Sequence, residues 1–144
     1  MKPTKPPIGF VLSQASKAVA RAFDDAMVEA GGSLPVWLVL LSLAPGGERS
    51  QSELAQAVGV QGPTLTHHLN GLEADGLIVR ARDPGDRRSH QVSLTPEGRA
   101  RFLHLRQTAE RFDVRLRGDL DDAMVDQLRD LLGRLRVNVG GGKP

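Results

Sequence analysis

The chain has 144 residues, with 19 Lys and Arg, 17 Asp and Glu, no cysteine, no tyrosine, four Phe and one Trp. That length is one ordinary domain with room for a core, so no staple is needed. The missing cysteines exclude a disulfide framework, Cys-ligated zinc and thiol redox sensing.

Residues 1–7 are rich in Pro and Lys and are expected to be a disordered arm; the Gly-rich tail, residues 138–144, is expected to be disordered too. No apolar stretch of secretory type adjoins the start, because Ser13, Gln14 and Lys17 interrupt it. The longest run of large apolar residues, Val36 to Leu41, is far short of a membrane span. A cytoplasmic location with no membrane partner is therefore expected.

From Ile8 to Ala30, the residues Ile8, Leu12, Ala15, Val19, Ala22, Ala26 and Ala30 step by three or four, the helical period. Phe23 and Met27 widen that stripe, and Gly31-Gly32 stops it. Ser33 then reads as an N-cap, with Pro35 tolerated in the first turn. Val36-Trp37-Leu38-Val39-Leu40-Leu41 is apolar nearly all round, so a short, central, buried helix is expected, ended by Pro45-Gly46-Gly47.

Ser50-Gln51-Ser52-Glu53 fits a capping box, in which the serine and the glutamate satisfy each other's orphan amides. Leu54, Ala55 and Val58 form the inner face of the two-turn helix that follows. Gly59 allows a positive φ, and Val60 re-enters the core. A second helix starts near Gln61 or Gly62, with Pro63 in its first turn, Leu65, Leu69 and Leu72 as its inner stripe, and Gly76 as its end. A small residue where two helices cross, then glycine four residues on, is the spacing of a helix-turn-helix.

Leu77 to Arg82 and Ser89 to Leu94 are strand-like runs separated by Asp83-Pro84-Gly85-Asp86, where Pro-Gly suits a type II turn. The hairpin tip carries Arg82, Asp83, Asp86, Arg87 and Arg88. A hairpin just beyond a recognition helix is a wing. Thr95 then caps a helix with Pro96 in its first position and a stripe of Phe102, Leu105, Ala109, Phe112 and Leu116. After Gly118, a last helix opens near Asp121 and Asp122 and carries Met124, Leu128, Leu131, Leu132 and Leu135. Its acidic start and its Arg134 and Arg136 suit the helix dipole.

Taken in order, these strings resemble the MarR family of bacterial winged-helix transcription regulators over roughly residues 8–137. Ser52-Glu53-Leu54-Ala55 with Gly59-Val60 matches its helix-turn-helix, and Leu72-Glu73-Ala74-Asp75-Gly76-Leu77-Ile78 the exit from its recognition helix. Asp83-Pro84-Gly85-Asp86-Arg87-Arg88, leading into Val92-Ser93-Leu94-Thr95-Pro96-Glu97-Gly98, matches its wing and the helix start beyond; this string is the more specific. The resemblance implies a mainly α fold with a small β-hairpin. A winged helix-turn-helix region at 33–95 is then flanked by a dimerisation helix at 8–32 and C-terminal dimerisation helices at 96–137.

In such regulators the second helix of the motif enters the major groove and wing arginines reach the adjacent minor groove. The outer face of that helix here offers Gln61, Thr64, Thr66, His67 and Asn70, short polar groups suited to base edges or phosphates. The family often has arginine at the position of His67 and a basic residue near Gly71. Residues 48–92 hold five arginines against six carboxylates, so affinity must depend on where the positives sit. Arg87 and Arg88 are the strongest candidates, since a narrow minor groove concentrates negative potential. Asp86 reads as a support that holds an arginine, because an anion beside phosphate would repel.

Apolar stripes on the first and last helices exceed what a winged helix must cover, and the resemblance implies a two-fold homodimer with recognition helices about 34 Å apart on a near-palindromic site. It also implies repression, and release by small aromatic or phenolic effectors. Lining candidates are Phe10, Ser13, Gln14, Trp37 and Leu41, although Trp37 on an apolar helix reads first as core.

No nucleophile motif, phosphate loop, carboxylate pair or metal-spaced His set occurs, so neither an enzyme nor a metal or other cofactor is expected. His67 and His68 diverge by about 100° on a helix and are poorly placed to share a metal. The competing reading is a winged helix used for protein interaction, which the net charge of −1 over residues 48–92 favours. The arginines at the turn tip and the polar recognition face oppose it.

Overall fold

Helix α1 (Ile8–Glu29) follows the three-four stripe and stops where Gly31 takes a φ of 86°. The Gly32 amide then returns to Met27 O at 2.8 Å. The computed structural model describes residues 4–142; at the hairpin tip it describes the backbone but not the side chains of residues 83 and 86–89. The chain then runs α2 (Leu34–Leu43), β1 (Arg49–Ser50), α3 (Gln51–Val58), α4 (Gly62–Ala74), β2 (Ile78–Asp83), β3 (Asp86–Leu94), α5 (Pro96–Arg117) and α6 (Asp122–Asn138). It forms two units, residues 1–110 and 111–144, divided within α5.

In the first unit α2 is the central wall. Ser33 Oγ accepts from the Val36 amide as its N-cap, and Asp24 Oδ1, from α1, accepts from the Leu34 amide at 2.8 Å. Because α2 is apolar on several sides, it feeds two cores. Val39 and Leu43 join Leu54, Leu65, Leu69, Leu72, Leu77, Ile78 and Val92, while Trp37 and Leu40 join Met27, Phe102 and Leu105. Leu41 departs from the buried helix expected there: it is 44 % exposed.

The strands form one antiparallel sheet in the order β1-β3-β2. The expected hairpin is therefore part of a three-stranded sheet. Strand β1 has only two residues, Arg49 opposite Val92 and Ser50 opposite Gln91, too few for any alternation to register in sequence. Long-range pairing with β3 is what makes it a strand.

The helix-turn-helix forms from its local signals. Ser50 Oγ accepts from the Glu53 amide while Glu53 Oε1 accepts from the Ser50 amide, completing the capping box. Gly59 takes a φ of 75°, and its amide and that of Val60 both bond to Ala55 O. Pro63 lies in the first turn of α4, and Leu65, Leu69 and Leu72 are its buried stripe. Thr95 joins the sheet to α5: its amide donates to Leu77 O, its hydroxyl donates to Gly76 O and accepts from the Gly98 amide.

The start of α5 also closes other helices. Arg99 donates to Ala44 O at the end of α2, Arg101 to Gly31 O beyond α1, and His104 Nε2 lies 3.2 Å from Ala30 O. The guanidinium cations of Arg99 and Arg101 thus meet carbonyls at helix C-termini that the helices themselves leave unbonded.

In the second unit Asp121 Oδ1 caps α6 by accepting from the Met124 amide, and Arg117 pairs with Asp122 and Asp113. No residue of α6 is buried, although Met124, Leu128, Leu131 and Leu132 are large and apolar. The helix extends to Asn138, one residue into the tail expected at 138–144. Beyond it the Gly140 and Gly141 amides return to Val137 O and Arg136 O, a glycine-based helix stop.

Candidate nucleic-acid interface

Helix α4 turns one face inward with its leucine stripe, which leaves the polar residues outside. Gln61, Thr64, Thr66, His67 and Asn70 are all exposed. Gln61 is the N-cap residue of α4, and its side chain makes no capping hydrogen bond. Thr66 Oγ1 donates back to Gly62 O at 3.0 Å, the bond to the carbonyl four residues earlier that a helical threonine makes. The His67 and His68 rings meet edge to face with centroids 5.8 Å apart. Among the described residues no three His, Asp or Glu come together in a metal-holding group.

Asn70 carries a feature that sequence reading passed over. Arg80 Nη2, from β2, donates to Asn70 Oδ1 at 2.7 Å. The same guanidinium grips Glu73 with both arms, Nε to Oε2 at 3.2 Å and Nη2 to Oε1 at 3.0 Å. Asn70 and Glu73 are three apart, hence neighbours on one side of α4. On β2, Ile78, Arg80 and Arg82 share one face, paired with Leu94, Val92 and His90. Ile78, Leu94 and Val92 belong to the core, so Arg80 sits at its rim and reaches α4, while Arg82 is exposed beyond. The bond from Arg80 holds the Glu73 carboxyl below its ordinary value, with burial opposing and His90 assisting. Glu53 is held low as well, chiefly by the Ser50 amide.

These pairings change the charge picture. Of the five arginines between residues 48 and 92, Arg80 is taken by Glu73 and Arg49 pairs with Glu53 at 3.6 Å. The other three, Arg82, Arg87 and Arg88, all stand on the hairpin strands. Asp86, Arg87 and Arg88 begin β3 directly after the Pro84-Gly85 turn; their side chains lie outside the described residues.

The five effector candidates differ in exposure. Trp37 is core, its ring stacked on Phe102 at 5.5 Å and 10°. Phe10, Ser13, Gln14 and Leu41 are exposed. An open cleft of about 540 Å³ lies elsewhere, lined by Leu43, Gly47, Ser93, Leu94, Thr95 and Arg99 among others, and by none of the five.

Comparison with known proteins bears on this surface. The family profile described as MarR family matches residues 31–89. The chain is 34 % identical over 101 residues to the uncharacterised HTH-type transcriptional regulator YdgJ of Bacillus subtilis, covering 70 % of the chain but only 62 % of that protein. A Thauera aromatica protein whose name assigns it to regulation of the hcr operon is 33 % identical over 129 residues, 89 % of this chain and 78 % of its own. Among solved structures, the transcriptional repressor CouR bound to a 23-mer DNA duplex matches with a TM-score of 0.80 and 32 % identity, over 90 % of this chain and 92 % of that one. BpsR of Bordetella bronchiseptica, whose DNA binding is regulated by 6-hydroxynicotinic acid, matches with a TM-score of 0.78 and 26 % identity, over 89 % and 97 %. Among the described residues, no single helix is long and apolar enough to cross a membrane.

Proposed function

Because this chain belongs to the MarR family of DNA-binding transcriptional regulators rather than to an enzyme family, we propose that it binds a near-palindromic operator sequence-specifically, as a homodimer and a repressor. The observation that carries this reading is the outer face of α4: five exposed polar residues on a helix locked to the core by three buried leucines. Short polar side chains on a rigid helix suit base edges and phosphates. The hairpin beside it supplies the cations, with Arg87 and Arg88 as the minor-groove contacts and Asp86 as their support.

The homodimer is supported by apolar surface without cover. Ile8 and Phe10 are 65 % and 55 % exposed, and α6 exposes Met124, Leu128, Leu131 and Leu132. Surface of that kind is covered in water by a second apolar face. A small aromatic effector, taken at a site including Phe10, Ser13, Gln14 and Leu41, is supported by the relative BpsR and its 6-hydroxynicotinic acid. Trp37, the fifth candidate, is buried and stacked on Phe102.

A second reading, a winged helix that binds protein, is favoured by the internal pairing of Arg49 and Arg80. One titration separates the two. DNA from upstream of the protein's own coding region is shifted on gels by the parent at increasing salt, alongside Arg88→Ala. Operator binding requires affinity that falls with salt, and a slope in Arg88→Ala shallower by about one. Binding that is absent at all concentrations, or insensitive to salt, favours the protein partner.

A further inference from the structure

We propose that Arg80 is a positioning residue for base reading: it holds the Asn70 carboxamide with its Nδ2 hydrogens turned outward, toward the acceptor of one operator base pair. This rests on the reading of α4 as the helix that meets base edges.

Arginine has five N–H donors and no acceptor, so the atom of Asn70 turned to Arg80 must be the oxygen. The 2.7 Å bond therefore decides which end of the amide is presented to DNA. Asparagine on an exposed helix otherwise has a broad, roughly two-fold terminal torsion, and its two ends face outward in turn. A donor end offered half the time discriminates poorly between an acceptor such as guanine O6 or thymine O4 and the amino group of adenine or cytosine.

The clamp is itself clamped. Glu73 takes two bonds from the guanidinium, and β2 fixes its stem beside the buried Ile78 and Val92. Arg80 consequently spends Nε and Nη2 on α4, and its side chain is only 18 % exposed. A phosphate ligand would need that fork free. The role belongs to the arginine shape as well as its charge, because a lysine ammonium presents one nitrogen where three bonds leave from two.

The test is selection of bound duplexes from a random-sequence pool by the full-length parent, Asn70→Ala, Asn70→Asp, Arg80→Lys and the Asn70→Ala/Arg80→Lys double variant, with thermal unfolding recorded for each. Asn70→Ala is expected to lower the preference at one base pair of each half-site by about tenfold. Arg80→Lys is expected to relax that same base pair, and the double variant to relax it no further. Asn70→Asp retains a partner for Arg80 but has no outward hydrogen, so it loses the same preference while folding normally; this arm stands even if Arg80→Lys unfolds. A preference kept by Asn70→Asp, or kept by a folded Arg80→Lys whose binding weakens evenly across sequences, overturns the positioning role alone. Unchanged preference everywhere in Asn70→Ala overturns the reading of α4 at that residue, and the proposal with it.

Discussion

Replacing Gly98 with alanine tests how α5 is seated on the sheet. A Cβ at this buried position lies 1.9 Å from Leu77 O, 2.9 Å from Leu77 C and 3.1 Å from Leu94 Cδ2. A comfortable carbon–oxygen contact is about 3.3 Å, so the helix start must retreat by about 1.4 Å. Leu77 is poorly free to yield, since its amide is bonded to Leu72 O and its carbonyl already accepts from Thr95. The retreat therefore breaks or stretches three bonds: Thr95 N to Leu77 O, Thr95 Oγ1 to Gly76 O, and Gly98 N to Thr95 Oγ1. At about 1 kcal/mol net each, with about 1 kcal/mol returned by the better helix propensity of alanine, a loss of about 2 kcal/mol is the minimum. Crowding against Leu94 raises it toward 4 kcal/mol. Urea unfolding at fixed protein concentration measures this, with Trp37 fluorescence as the probe. Gly133→Ala is the control, because nothing lies within 4 Å of its Cβ; it is expected to be neutral or stabilising by about 0.5–1 kcal/mol. A Gly98→Ala protein within about 0.5 kcal/mol of the parent refutes the close approach.

Trp37→Ala is expected to cost about 3–5 kcal/mol, since the ring is core and stacked on Phe102; a thermal unfolding change equivalent to less than 1 kcal/mol would instead make Trp37 a pocket wall. Both Glu53 and Glu73 have folded values held below the ordinary 4.5. Their contribution is thus fully present above that pH and is lost as pH falls through the folded values, because the unfolded chain then binds more protons. Urea midpoints recorded downward from pH 7 are expected to fall less steeply in the acid limb for Glu53→Gln and Glu73→Gln, and an unaltered limb counts against the two pairings. Leu128→Glu with Leu131→Glu is expected to convert a sedimenting dimer to monomer, whereas a parent that sediments as a monomer at micromolar concentration refutes the dimer.

The formal charge of +2 shows how far reading along the chain goes. It allowed a count of five arginines over residues 48–92, yet nothing local marks Arg80 as engaged and Arg82 as exposed. Their partners are set by strand register and by which side of α4 the sheet meets. The spacing of Asn70 and Glu73, three apart on a helix and ahead of a strand arginine, permits the pairing but does not specify it.

Helix ends and turns were legible because their causes lie within a few residues. Ser33 bonds to Val36, Ser50 to Glu53, Gly59 to Ala55 and Thr95 to Gly98, and each motif names its own partner. The leucine stripe of α4 was legible for the same reason, a period of three and four that faces one core. Features made by distant segments were not. Strand β1 exists through Val92 and Gln91, the carbonyls ending α1 and α2 are met by Arg99, Arg101 and His104 at separations of 55 to 74 residues, and Gly98 is required by the carbonyl of Leu77. Short-range hydrogen bonds and helical periodicity act whatever the rest of the chain does, so they can be inferred before folding. Which side chain meets which carbonyl, and which end of Asn70 faces outward, depends on ångström-scale approach between elements that only packing brings together.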